Sequence, residues 1–180
     1  MIDRAELAAR EGFWPRAGQV LLGVGLVVAG YLAAGHTGGW LLYPYYLASL
    51  AAIAWVDLRE RRIPNRIVCP AILVALGAAI GRPGWQTSLA GGVAMAALLW
   101  LPAWIAKLRP GSGDVKLGLL IGLVLGLSWA LYGAVVVAFG GALLAGLVGI
   151  LLKRWDRRSM LPFGPFLALG MIAGLLIQAL

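Results

Sequence analysis

LGLLIGLVLGLSWALYGAVVVAFGGALLAGLVGILL, running from Leu117 to Leu152, is 36 residues without a single charge. Drawn as one helix at 1.5 Å per residue it would be about 54 Å long, far more than the roughly 30 Å of hydrocarbon in a bilayer. The stretch therefore has to fold back. Gly126-Leu127-Ser128-Trp129 is the predicted turn, since it joins a glycine, a turn-forming serine and an interfacial tryptophan. The rest of the chain has the same character: 62% of residues are hydrophobic, 12% are charged and the mean hydropathy is +0.91. That composition belongs to an integral membrane protein. No run alternates with the period of a barrel strand, so the fold class read here is an all-α polytopic bundle of about six to seven transmembrane helices.

Working outward from this stretch, spans are predicted at roughly 17–35, 40–57, 65–81, 87–107, 114–127, 130–152 and 163–180, with ends soft by about 2–4 residues. Orientation follows from the cations. With the N-terminus cytoplasmic, Arg4, Arg10, Arg16, Arg59, Arg61, Arg62, Arg66, Lys107, Arg109, Lys116, Lys153, Arg154, Arg157 and Arg158 fall inside. Only Arg82 falls outside. Miscounting the spans by one would scatter the later clusters over both faces, so the asymmetry supports the count as well as the orientation. The net charge of +8 is thus a topology signal rather than a nucleic-acid surface.

Residues 1–16 form a short N-terminal segment, read as a helix lying in the interface or as a frayed terminus. Residues 17–180 form one transmembrane domain with no internal repeat. Gly118, Gly122 and Gly126 follow Asp114 at steps of four, placing all of them on one face of the fifth span, where close helix contact is expected to shelter the acid. Gly141, Ala145 and Gly149 form a similar stripe on the sixth.

Two acids stand at the edges of apolar runs, where an ionised carboxylate is costly: Asp57 in Asp57-Leu58-Arg59-Glu60-Arg61-Arg62-Ile63-Pro64-Asn65, and Asp114 in Gly111-Ser112-Gly113-Asp114-Val115-Lys116. Taken singly, Asp57 could be a salt-bridge residue and Asp114 a helix cap. On the same membrane face they make a dyad. Two carboxyls a few ångströms apart share a proton, so that one takes a proton from water while the other donates to a carbonyl. Helix ends make them unequal: Asp57 closes a span and Asp114 opens one, which favours Asp114 as the ionised base. His36 and Cys69 are the only residues of their kinds; His36 lies toward the outer face, and Cys69 reads as a packing residue. No metal site and no cofactor is expected.

At these positions the sequence closely resembles the type IV prepilin peptidases, membrane aspartic proteases with a Gly-x-Gly-Asp signature. Asp57, Ile63, Pro64 and Asn65 match the first motif, Gly111, Gly113, Asp114 and Lys116 the second, and Pro162-Phe163-Gly164-Pro165-Phe166 a segment that opens the last helix. The resemblance implies a prepilin leader peptidase: an aspartic endopeptidase of the bacterial or archaeal cytoplasmic membrane whose catalytic pair is Asp57 and Asp114. Its substrate would be a pilin-like precursor, cut at the cytoplasmic face. Ile63, Pro64, Asn65, Gly111, Gly113 and Lys116 would support the two loops. A basic lip of Arg59, Arg61, Arg62, Arg109 and Lys116 would meet lipid headgroups or substrate. Longer relatives carry an N-terminal insertion, often with Cys-x-x-Cys pairs, that goes with N-methylation. With one cysteine and a short leader before the first span, this chain resembles the peptidase-only branch of Flp, tight-adherence and preflagellin enzymes, and no methyl transfer is expected. Three other readings stay open at this level: another Gly-x-Gly-Asp intramembrane protease, a small proton- or cation-coupled transporter using the same acids, and an inactive assembly scaffold.

Overall fold

A computed structural model describes residues 22–33, 42–105, 111–152 and 162–179, apart from the side chains of 102 and 103. The N-terminal segment 1–16, His36, Lys107, Arg109 and the basic cluster at 153–158 lie outside these residues. Among the described residues every long element is a helix: α1 (Leu22–Ala33), α2 (Tyr43–Glu60), α3 (Asn65–Ile80), α4 (Trp85–Ile105), α5 (Ser112–Leu125), α6 (Trp129–Leu151) and α7 (Gly164–Ala179). All seven fall on the predicted spans.

Local chemistry explains the boundaries. Pro44 sits in the first turn of α2, where its missing N–H costs nothing, and Arg61 ends that helix in the left-handed region with φ 51°. The Arg61 N–H closes the turn on the Asp57 carbonyl at 2.9 Å. Asp57 thus lies inside the last turn of α2 rather than beyond it. Pro64 is extended and opens α3, its carbonyl accepting from Ile67 and Val68. The predicted fold-back falls where expected: α5 stops at Leu125, Gly126 turns with φ 67°, and α6 starts at Trp129.

That turn is tied down from three sides. Leu127 N–H donates to the Thr87 carbonyl at 2.8 Å, at the start of α4. Ser128 Oγ and Gln178 Nε2 both donate to the Leu125 carbonyl, at 2.9 and 2.8 Å. A helix C-terminus inside an apolar bundle leaves carbonyls without partners, and these donors satisfy one of them.

Helix α5 is the central post. It packs on α3, α4, α6 and α7, burying Leu117, Leu120, Ile121, Leu123, Val124 and Leu125. Its glycine face meets α4: Gly122 lies against the Gly91 backbone, and Gly118 against Met95 and Leu99. Small residues permit this approach, and backbones that come so close gain dispersion contacts that larger side chains would prevent. The stripe read on the sixth span carries less than its pattern implied. Gly141 touches the Phe166 ring, but the close backbone approach of α6 to α7 uses Gly170 and Gly174 of α7 against the carbonyls of Ala134 and Ala130, and the α6 glycine that receives an α7 side chain most closely is Gly133, outside the stripe, against Ile177. Spacing identifies a face that can be approached; only packing decides which helix supplies the glycine.

Helix α6 has 23 residues and a mean hydropathy of 2.5, long and apolar enough to cross a membrane, and it leaves Val136, Leu143, Leu144 and Leu151 exposed. The other strongly apolar helices are shorter over their described residues.

The α4–α5 contact makes a direct prediction. Gly122→Val places side-chain atoms into the Gly91 backbone and should destabilise the bundle by about 2 kcal/mol or more. Gly140→Ala, whose new methyl meets nothing within 4 Å, should be neutral or stabilising by up to about 1 kcal/mol. Thermal unfolding in detergent measures both, and equal losses would contradict the close α4–α5 approach.

Candidate active site

Asp57 is 5% exposed, surrounded by apolar helices, and its Oδ2 accepts a hydrogen bond from the Gly164 N–H at 2.9 Å. Asp114, in the first turn of α5, is half-buried. The two acids line one cavity of about 260 Å³ together with Arg61, Arg62, Ile63, Gly111, Ser112 and Gly113. Helices from opposite halves of the chain therefore bring both carboxyls to one small polar space. Charge on either makes charge on the other more costly, which is the condition for a shared proton.

The two loops interlock. A side chain at Gly113 would place its Cβ 2.7 Å from the Ile63 Cβ, so this glycine lets the first turn of α5 lie directly on the loop before α3. A Cβ at Gly111 would come within 2.7 Å of Asp114 Oδ2. Lys116 Nζ donates to Asn65 Oδ1 at 2.9 Å, bridging positions 51 residues apart. Ile63, Pro64 and Asn65 also line a neighbouring cavity of about 610 Å³ with Val56, Glu60, Arg62 and Arg66. The motif residues are thus parts of one joint, which the spacing of the motifs alone does not reveal.

The basic lip is only partly as expected. Arg61 and Arg62 line the cavity with the acids. Arg62 is also paired with Glu60 at 2.6 Å, an exposed contact that contributes little to stability. Arg59 turns to the Trp55 ring, its guanidinium carbon 4.3 Å from the ring centroid, and lines neither of these cavities. The Lys116 ammonium is committed to Asn65. Arg109 lies outside the described residues. Cys69 is partly buried against the core and lines neither cavity. Among the described residues no group of three or more His, Cys, Asp and Glu side chains is placed to hold a metal ion.

Three residues escaped the sequence reading. Ser112 occupies the variable position of Gly-x-Gly-Asp yet lines the cavity, and Arg66 lines its larger neighbour. Gly164 belongs to the third matching segment, to which the sequence assigns no role, yet its amide contacts Asp57 directly. The available signal was a glycine ahead of Pro165 at a helix start: a third helix end, beside the two that the charge argument weighed.

The model of the Type IV leader peptidase family matches residues 44–151, from the start of α2 to the end of α6. The chain belongs to that family. It is 33% identical over 160 residues to a prepilin leader peptidase/N-methyltransferase of Burkholderia pseudomallei, covering 83% of this chain and 50% of that protein. A Bacillus subtilis protein of the same description is 33% identical over 132 residues, covering 71% and 52%. A third, from Xanthomonas campestris pv. campestris, is 29% identical over 128 residues, covering 67% and 44%. The chain spans about half the length of the curated relatives it matches. No solved structure matches it. The family match encloses both loops of the joint and both acids.

The Asn65–Lys116 bridge can be tested by its non-additivity. Asn65→Ala and Lys116→Ala should each lower thermal stability, and the double variant should cost less than their sum by about 0.5–1 kcal/mol. Strict additivity would mean that the bridge carries no energy.

Proposed function

We propose that this protein is a prepilin leader peptidase: an aspartic endopeptidase that removes the short leader of a type IV prepilin-like precursor. The observation that carries the reading is that Asp57 and Asp114 line a single cavity. Family membership supplies the substrate class, since the relatives matched are described as prepilin leader peptidases.

In the proposed reaction the dyad shares one proton. The ionised carboxylate removes a proton from a water held between the two acids, and the water oxygen attacks the scissile carbonyl carbon. The protonated partner donates to the carbonyl oxygen as the tetrahedral intermediate forms. On collapse a hydroxyl of the intermediate returns its proton to the donor acid as the carbonyl reforms, the C–N bond breaks, and the amide nitrogen takes the proton that the base had removed from water, so the pair returns to its starting state. Every step moves a proton or a water oxygen, so two carboxyls suffice.

The chain is proposed to cross the bacterial or archaeal cytoplasmic membrane several times, with the dyad at the cytoplasmic face. The apolar side chains left exposed on α6 support burial in lipid, and the distribution of Arg and Lys supports the orientation. Arg61 and Arg62 then stand at the mouth of the cavity at headgroup level, where they favour anionic lipid or an acidic residue of the precursor. The proposal covers peptide hydrolysis alone. The names of the relatives pair it with N-methyl transfer.

Co-expression with a prepilin tests this. The parent chain should convert the precursor to a faster-migrating form, and Asp57→Asn and Asp114→Asn should each reduce conversion by about 10³-fold or more. Normal processing by either variant would sink the dyad mechanism. Proton or cation flux lost on the same substitutions, without processing by the parent, would favour a transporter.

A further inference from the structure

The start of α7 leaves one amide unaccounted for by the helix itself. Phe166 and Leu167 both donate to the Phe163 carbonyl at 3.1 Å, and Pro165 has no N–H to give. The remaining first-turn donor is Gly164, and it is spent on Asp57 Oδ2 at 2.9 Å, across 107 residues of chain and out of contact with solvent. Unpaired amides at a helix N-terminus carry partial positive charge, so this one both anchors the carboxyl and suits its negative form, against the expectation from the ends of α2 and α5 that Asp114 is the ionised acid of the pair.

The absent side chain is as informative as the amide. A Cβ on Gly164 would lie 2.8 Å from Asp57 Oδ2 and 3.2 Å from both its Cβ and Cγ. The whole Asp57 side chain therefore rests on the face of the glycine, and any larger residue would displace the carboxyl itself. The turn that presents this face is held by its surroundings. Phe163 packs edge-on against Phe139 of α6, with ring centroids 5.3 Å apart. Gly170 and Gly174 seat the body of α7 against α6.

We infer that Gly164 is a positioning residue for the proposed dyad: its amide and its bare Cα together hold the Asp57 carboxyl in the arrangement that shares a cavity with Asp114. The kinetic part of this inference rests on the proposed peptidase reading; the contact itself does not. Neither of the two carboxylate motifs contains this residue, so the site is built from three segments of chain rather than two.

Two measurements on the full chain in detergent test it. In prepilin cleavage, Gly164→Ala should lower kcat on the order of 10²-fold, as a displaced reacting group does, with KM changed by less than about threefold. Gly30→Ala instead inserts a methyl into α1, against the Val74 and Ala78 backbone of α3 and away from α7. It should lower the unfolding temperature while leaving kcat per folded molecule unchanged. Retained kcat in Gly164→Ala, or equal kcat losses in both variants, would overturn the positioning role.

The second measurement needs no activity. The sequence contains only two Phe-Gly steps, Phe139-Gly140 and Phe163-Gly164, so carbonyl-labelled phenylalanine with ¹⁵N-glycine isolates two amide resonances, which Gly140→Ala assigns. Asp57→Asn should move the Gly164 resonance and leave that of Gly140 in place. An unmoved Gly164 resonance would refute the contact even if the protein cleaves its precursor. A parent chain that cleaves nothing would refute the peptidase reading, while the resonance still decides the contact.

Discussion

A carboxyl that is 5% exposed needs partners to replace the water it has lost. At Asp57 these are a backbone amide on one side and a small polar cavity on the other. Much of the architecture can be understood as what it takes to bring both to the same spot. The amide must come from a helix end, because helix interiors have none to spare. The cavity must be walled by a second helix start, that of α5, which also carries the other acid. Helices α2, α5 and α7 therefore converge on one point, and the connections between them have to allow it.

Close helix packing fixes that convergence. In an apolar phase the helices gain little from hiding hydrophobic surface, so contact depends on backbones approaching through small residues. Helix α5 does this with Gly118 and Gly122 against α4, and α7 with Gly170 and Gly174 against α6. The Leu125 carbonyl, shared by Ser128 and Gln178, ties the far end of α5 to the turn and to α7. At the near end, Gly113 lies on Ile63 and Lys116 reaches Asn65. The post that carries Asp114 is consequently held at both ends, which fixes the two acids relative to each other.

The same view separates cations that line the cavity from those that only stand near it in sequence. Arg59 and Arg61 are two residues apart, yet the left-handed turn at Arg61 reverses the chain and sends them to different places. Arg59 lies over Trp55, and Arg61 lines the cavity. Positive charge at the cavity is thus concentrated where the chain turns rather than spread along the whole basic run.

The all-helical class, the seven helix positions, the fold-back at Gly126 and the pairing of two acidic motifs with a family were all legible in the chain itself. They follow from local quantities: the length of an apolar run, a glycine that can turn, and residue types at fixed spacing. What tertiary structure alone decided was which surfaces meet. It set Lys116 on Asn65 and Gly113 on Ile63, turned Arg59 away, and seated the Ala130 and Ala134 carbonyls of α6 on glycines of α7. It also brought Gly164 to Asp57. These contacts join segments distant in sequence, and their geometry depends on how whole helices pack, a property that no window of residues contains.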